Sequence, residues 1–299
     1  MIVGGQCPPY IFMNKFLTTV IFGLICFLGG VASQYLLPVA SVPTKIECRE
    51  VPVIDFSTDK NETEEKNTQR EEEIKAYARK ITVKVLSGDN SGSGVLIQRK
   101  GNLYQVVTND HVLLFGRQNN SYKVQTLDRK IYPAKVVKLN FDKHDLGVLE
   151  FESTENYEVA PLSFLPIPHI GDKIYASGFP IDRSTKSMDD GFNFTTGKVD
   201  MISNLSFRGG YQIGYSNDIE KGMSGGPLLN EKMEVIGLNG RHKYPLWGNP
   251  YIFTDGTVAS AEEKEKMSQS SWAIPIKTFL KFAPEFAHKN NEHLTQIKY

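Results

Sequence analysis

The most constraining feature of this chain is a succession of short apolar runs between about residue 80 and residue 283. They include "SGVLIQ", "YQVVTN", "LGVLEF", "KIYASGF" and "MEVIGLNG", and Gly, Asn and Asp separate them. Many short runs of strand length with turn residues between them predict an all-β barrel or sandwich. Near the end of the chain, "IPIKTFLKFAP" predicts a short amphipathic helix.

The N-terminal part of the chain has a different composition. Residues 16–42 carry no charge, and residues 16–30 are the most apolar part. The length of this part fits a signal-peptide core, with "VAS" at 31–33 as the cleavage site. The whole uncharged stretch is also long enough to span a bilayer as a retained anchor. We therefore expect residues 1–33 to be a signal peptide or a membrane anchor, and both readings stay open.

Either reading predicts an exported protein, located in a periplasm, a thylakoid lumen or the extracellular space, with possible anchoring through residues 16–42. Residues 55–73 are acidic and almost free of apolar side chains, which is typical of a linker or a solvated helix. We expect a polar linker over 34–75, with a short helix in "EEEIKAYARK" at its end. The main domain is expected at 76–285 and a tail at 286–299.

Composition excludes several classes of function. The 34 basic and 34 acidic side chains balance, so no overall positive field favours nucleic acid. All three cysteines lie at or before Cys48, so neither a disulfide nor a cysteine metal site is expected in the main domain. The six histidines show no metal-ligand spacing. We therefore expect no metal and no cofactor, and membrane contact only through the N-terminal segment.

Three stretches carry residues suited to nucleophilic chemistry: "VVTNDHV", "HDLGVLEF" and "KGMSGGPLLN". They supply His111, Asp145 and Ser224, each at the boundary of a strand-like run. A serine hydroxyl needs a base to take its proton, and an imidazole held by a carboxylate is suited to that role. Glycines beside the serine let backbone N–H groups approach a developing oxyanion. The amides of Gly222 and Ser224 are the candidates for that oxyanion hole.

In that chain order, the three residues resemble the triad of the chymotrypsin/trypsin-like clan. "GSGVLI", "DLGVL" and "GMSGGPLLN" resemble its bacterial branch, including the Htr/Deg-like proteases and especially the cyanobacterial trypsin-like peptidases. The resemblance covers about residues 80–283 and implies two six-stranded Greek-key β-barrels. It also implies a serine endopeptidase that acts on protein or peptide substrates through an acyl-enzyme. No PDZ domain is expected, because only about 15 residues follow Pro284.

Within this resemblance, His111 is expected to act as base and then acid, Asp145 as its orienting partner and Ser224 as nucleophile. The alternative is a binding or scaffolding module that kept the barrels and lost turnover. The oligomeric state stays open.

Specificity rests on weaker signals. Asp218 lies six residues before Ser224, the offset of the acidic residue at the base of the primary pocket in trypsin. It would favour Lys or Arg before the scissile bond, although bacterial members usually place a small apolar residue at this offset. Asn239 and Gly240 resemble the edge strand that pairs with the substrate backbone. His242, just after them, would instead suit an acidic residue before the scissile bond, but an ordinary loop role is expected for it.

The residue before the serine is Met223, which carries no charge. Activation by a freed Ile-Val-Gly-Gly terminus needs a carboxylate at that position. We therefore expect the "IVGG" at residues 2–5 to be a coincidence.

Overall fold

The computed structural model of the chain describes residues 57–164, 167–181, 191–244 and 250–287. The expected signal or anchor segment at 1–33, the residues up to 56 and most of the expected tail lie outside the described residues. Within the described ranges, no helix combines the length and the apolar composition that crossing a membrane requires.

The first six strands form a closed antiparallel barrel in the order β1-β2-β3-β6-β5-β4. The strands are β1 (Thr82–Ser87), β2 (Asn90–Lys100), β3 (Leu103–Thr108), β4 (Tyr122–Gln125), β5 (Ile131–Val136) and β6 (Gly147–Glu152). Thr108 at the end of β3 pairs with Gly147 at the start of β6. That register brings together the two segments that follow Thr108 and precede Gly147.

The next six strands form a second closed antiparallel barrel in the order β10-β11-β12-β9-β8-β7. They are β7 (Lys173–Gly178), β8 (Asn193–Ile202), β9 (Ile213–Tyr215), β10 (Pro227–Leu229), β11 (Val235–Arg241) and β12 (Ser271–Pro275). In each barrel, three consecutive strands lie side by side, and the other three follow around the barrel in reverse order of sequence. The predicted pair of six-stranded Greek-key barrels is confirmed.

Several strands are buried on both faces, which explains why they read as continuous apolar runs. In β3, Val106 packs into the interior of the first barrel, while Val107 belongs to a different cluster outside it. Leu149 and Val148 in β6 divide in the same way. The outer cluster also contains residues of the second barrel and of the flanking helices. Alternate side chains of one strand therefore serve two cores.

Helix α1 spans Ser57–Ile81 and differs from the linker expected over 34–75. Its last turns carry Ile74, Ala78 and Ile81, which repeat at helical spacing and are fully buried in the outer cluster. The expected short helix is the C-terminal part of a much longer one. The reason is that Glu, Lys, Gln and Arg favour helix, so a polar composition does not by itself indicate irregular chain.

The remaining helices are short: α2 (Asp110–Leu113), α3 (Ala261–Ser268) and α4 (Ile276–Phe282), with 3-10 turns at Leu114–Gly116 and Pro284–Phe286. Helix α4 is the expected C-terminal helix, and its Ile276 and Phe279 are buried in the outer cluster.

Candidate active site

The pairing of β3 with β6 places His111 beside Asp145. His111 lies in α2 just after β3, and Asp145 lies just before β6. The Asp145 carboxylate binds both the backbone and the ring of the histidine: Oδ1 accepts from the His111 amide at 2.8 Å, and Oδ2 lies 2.7 Å from Nδ1. Asn109 donates from its side chain to the Asp145 carbonyl at 2.9 Å. With Nδ1 held by the carboxylate, Nε2 is left to act as a base.

The environment keeps Asp145 ionised. Burial acts to raise the pKa of its carboxyl, but hydrogen bonds from His111 and from the Tyr211 hydroxyl outweigh burial and hold this pKa below its usual range. Tyr211 comes from the second barrel and donates to the same Oδ2 that faces the histidine ring. An ionised carboxylate at this place can stabilise a charged imidazolium.

Ser224 lies in the glycine-rich turn between β9 and β10, and this turn is held by Ser93 from the first barrel. The Ser93 amide donates to the Ser224 carbonyl at 2.8 Å, and the Ser93 hydroxyl donates to the Gly222 carbonyl at 2.8 Å. The same hydroxyl accepts from the Phe179 amide at 2.8 Å. One buried serine thus ties the turn to β2 and to the end of β7.

The two expected oxyanion donors have fixed peptide orientations. The carbonyl before Gly222 accepts from the Ile181 amide at 2.9 Å, and the carbonyl before Ser224 accepts from the Gly226 amide at 3.1 Å. In a trans peptide the next N–H points the opposite way from the carbonyl. Gly222 has a φ of 102°, a conformation that favours glycine. Neither the Gly222 nor the Ser224 amide has a hydrogen-bond partner among the described residues.

The Ser224 hydroxyl is half-buried and its partner in this structure is the Gly240 carbonyl, at 3.4 Å. Between Ser224 and the His111 ring, the described residues show no hydrogen bond. Bonds between a nucleophile and its base are often long without substrate and tighten when substrate binds. The His111 side chain is 42% exposed, so a substrate can reach it.

Asp218 lies at the surface of the protein, and its expected pocket role stays a prediction. Its side chain is 84% exposed, and it forms an ion pair with Lys243 at 2.7 Å. The Lys243 ammonium also donates to the Ser216 carbonyl at 2.6 Å. A pocket base would be enclosed and would leave its charge for the substrate, whereas this carboxylate lies at the surface beside a cation of the chain.

Asn239 lies in the interior of the protein. It is fully buried, and its side chain accepts from the Tyr215 hydroxyl at 2.8 Å and donates to the Ser177 carbonyl at 3.1 Å. Its backbone N–H and C=O bind Gly226 and Gly225 at 2.9 and 2.8 Å. Both of its backbone groups are therefore engaged inside the protein, so Asn239 supports the serine turn and is not placed to pair with a substrate.

Gly240, by contrast, lies at the site. The register between β11 and β12 shifts between Asn239 and Arg241, which leaves Gly240 unpaired in the ladder. Its carbonyl accepts from Ser224, and a Cβ here would lie 2.4 Å from the Tyr211 hydroxyl oxygen. Close approach of these groups therefore requires glycine.

Met223, the uncharged neighbour of Ser224, is fully buried. Its sulfur lies 3.3 Å from the Glu220 amide and 3.6 Å from the Asn193 side-chain nitrogen. The position next to the nucleophile thus holds a packed thioether. No cluster of His, Cys, Asp or Glu in the described ranges could hold a metal ion.

Sequence reasoning missed two contributors, Ser93 and Tyr211. Ser93 lies inside "GSGVLI", the stretch that carried part of the family resemblance, but its role comes from contacts across the barrels. Tyr211 follows two glycines in "RGGYQIGY" between β8 and β9, and an aromatic residue there reads as ordinary core.

Comparisons with known proteins show what this chain is similar to. Residues 92–238 match the trypsin-like peptidase domain family. Serine endoprotease DegS of Escherichia coli K12 is 28% identical over 148 residues, which cover 50% of this chain and 39% of that protein. Serine protease HTRA1 of Xenopus tropicalis is 28% identical over 159 residues, which cover 50% of this chain and 31% of that protein.

Protease Do-like 1, chloroplastic, of Arabidopsis thaliana is 30% identical over 156 residues, which cover 50% of this chain and 32% of that protein. The match therefore spans about a third to two fifths of these relatives. The crystal structure of the serine endoprotease from Yersinia pestis superposes with a TM-score of 0.50 at 23% identity, covering 71% of this chain and 64% of that one, which supports the fold. The expected cyanobacterial affinity stays a prediction. Residues 92–238 are thus similar to the trypsin-like peptidase domain, and the Deg and Htr serine proteases are relatives of this part of the chain.

Proposed function

We propose that this protein is a serine endopeptidase that hydrolyses peptide bonds through His111, Asp145 and Ser224. The observation that carries the proposal is the double contact of one carboxylate with the His111 amide and ring. A structural aspartate would not need to fix both the position and the tautomer of a histidine that stays partly exposed. The related proteases, named as serine proteases, support the same reading.

In the proposed reaction, His111 takes the Ser224 proton as the hydroxyl attacks the substrate carbonyl. Asp145 stabilises the resulting imidazolium, and the Gly222 and Ser224 amides donate to the oxyanion. The imidazolium then gives its proton to the leaving amine, which frees the C-terminal product and leaves an acyl-enzyme. Water, activated by His111, hydrolyses the ester and restores Ser224. Protein or peptide chains are the proposed substrates.

A fluorophosphonate probe tests the proposal directly, because an activated serine hydroxyl displaces its fluoride and becomes phosphonylated, whereas ordinary serines react poorly. We expect the wild-type protein to be labelled at Ser224 and to cleave an unfolded protein substrate. Ser224→Ala should abolish labelling and reduce hydrolysis by at least about a thousandfold, with an unchanged circular dichroism spectrum. A folded wild-type protein that neither labels nor cleaves would instead favour the binding or scaffolding module.

We also propose that the protein is exported, because residues 16–42 form a long charge-free segment behind Lys15. Cell fractionation and N-terminal sequencing of the mature protein distinguish cleavage near residue 33 from retention as an anchor. Recovery of the uncleaved chain in the cytosolic fraction would contradict export.

A further inference from the structure

A tyrosine from the second barrel contacts the carboxylate that orients the catalytic histidine in the first. Tyr211 precedes β9, and its side chain is 2% exposed. Its hydroxyl donates to Asp145 Oδ2, the oxygen that also faces His111 Nδ1. The loop between β8 and β9, which carries Tyr211, also supplies a backbone hydrogen bond: the Asp145 amide donates to the Gly209 carbonyl at 2.9 Å. Asp145 is thus bound from both barrels.

The surroundings of Tyr211 fix the direction of this bond. The Arg241 guanidinium lies over the ring, 4.2 Å from its centroid, and is itself held by the Arg208 carbonyl at 2.6 Å and by the Pro250 carbonyl. Burial and the nearby Asp145 charge raise the pKa of the Tyr211 hydroxyl well above its usual value. The hydroxyl therefore stays protonated and acts as a donor to the carboxylate.

The absence of a side chain at Gly240 leaves room for the Tyr211 hydroxyl. At Gly240 a Cβ would lie 2.4 Å from the tyrosine oxygen and as close to its ring, so any larger residue would displace the tyrosine. The Gly240 carbonyl also accepts the hydrogen bond from the Ser224 hydroxyl. The tyrosine and the Ser224 hydroxyl therefore both lie against one backbone position that carries no side chain.

We propose that Tyr211 is a positioning residue that holds the Asp145 carboxylate against His111, and this inference rests on the proposed peptidase function. Asp145 Oδ1 is fixed by the His111 amide, while Oδ2 is shared between the histidine ring and the tyrosine. Without the tyrosine hydroxyl, the carboxylate loses one of its charge-assisted bonds and can turn about its side-chain torsion. The histidine would then be held less well while it receives the serine proton.

The test compares Tyr211→Phe with a matched control in the full chain. Tyr104→Phe removes another buried tyrosine hydroxyl, which donates to the Glu155 carbonyl at 2.7 Å in the first barrel. We expect Tyr211→Phe to lower kcat on a peptide substrate about tenfold with KM changed less than about twofold. Tyr104→Phe should leave both constants close to wild type. Equal kcat values for Tyr211→Phe and wild type would overturn the proposal.

A second measurement does not depend on turnover. In the Ser224→Ala background, proton NMR detects the proton on His111 Nδ1, which is hydrogen-bonded to the Asp145 carboxylate. Adding Tyr211→Phe should shift or broaden this resonance, and adding Tyr104→Phe should not. Gly240→Ala, whose new Cβ must displace the Tyr211 hydroxyl, should reproduce the shift with the tyrosine retained.

The two measurements separate the inference from the proposed function. A resonance that stays in place in both Tyr211→Phe and Gly240→Ala would overturn the positioning role. A resonance that moves in the Ser224→Ala background, together with a folded wild-type protein that shows no peptidase activity, would support the positioning role and contradict the proposed function.

Discussion

At the scale of single residues, Ser93 joins strand β2 of the first barrel to the Ser224 turn of the second. Its hydroxyl and amide bind the carbonyls of Gly222 and Ser224, the two residues whose amides are the proposed oxyanion donors. Ser93 is fully buried, so its donors have no water to replace a lost partner. The position of Ser224, the proposed nucleophile, therefore depends on a residue of the opposite barrel that has no part in the proposed reaction.

We predict that Ser93→Ala lowers kcat/KM by about tenfold and the free energy of unfolding by about 1–3 kcal/mol, because two buried backbone groups lose their partner. Steady-state kinetics and urea unfolding measure the two effects. The control is Ser91→Ala on the same strand, where the serine is only half-buried and its hydroxyl makes no hydrogen bond among the described residues. Wild-type kinetics in Ser93→Ala would show that the turn keeps its geometry unaided.

Asp218 illustrates how equal spacing can mislead. The carboxylate is exposed and already paired with Lys243, and an exposed pair of this kind has little free energy to offer a substrate. We predict that Asp218→Ala leaves the preference before the scissile bond unchanged when both proteins cleave the same peptide library. A preference for Lys or Arg that is present in the wild type and lost in Asp218→Ala would restore the expectation drawn from the sequence.

At the scale of elements, helix α1 belongs to the folded domain. Glu71 accepts from Thr196 at 2.6 Å and from Lys173 at 3.3 Å, which joins the helix to β7 and β8. The Thr196 hydrogen bond is the first cause of the lowered pKa of Glu71. Ile74, three residues later, is fully buried in the outer cluster. Because most of the helix is charged, its short apolar stripe at the C-terminal end is difficult to recognise from the sequence.

We predict that Ile74→Ala lowers the free energy of unfolding by about 2–4 kcal/mol, because it removes buried methyl groups and leaves a cavity. Urea denaturation measures the change. Lys75→Ala, at the exposed neighbouring position, should change stability by less than about 0.5 kcal/mol. Similar small effects in both variants would mean that the barrels are stable without the helix.

At the scale of the whole molecule, the strand-length runs predicted an all-β barrel or sandwich, and the resemblance carried by His111, Asp145 and Ser224 implied two six-stranded barrels. Each apolar run and each short motif can be recognised from neighbouring residues alone, without knowledge of the fold. The roles of Ser93, Tyr211 and Asn239 were not predictable, since each depends on a contact between strands far apart in sequence. The pocket expectation at Asp218 stays a prediction for a related reason: loop geometry decides whether a carboxylate is enclosed.

The pairing of Thr108 with Gly147 also has a consequence for folding. β3 and β6 are separated by a stretch that contains β4 and β5, so their pairing closes a large loop. Contacts of this kind form slowly, because their entropic cost comes before their reward. His111 and Asp145 meet only when that loop closes. Ser224 lies later in the chain, in the turn before β10, so the three proposed catalytic residues come together only after both barrels have been synthesised.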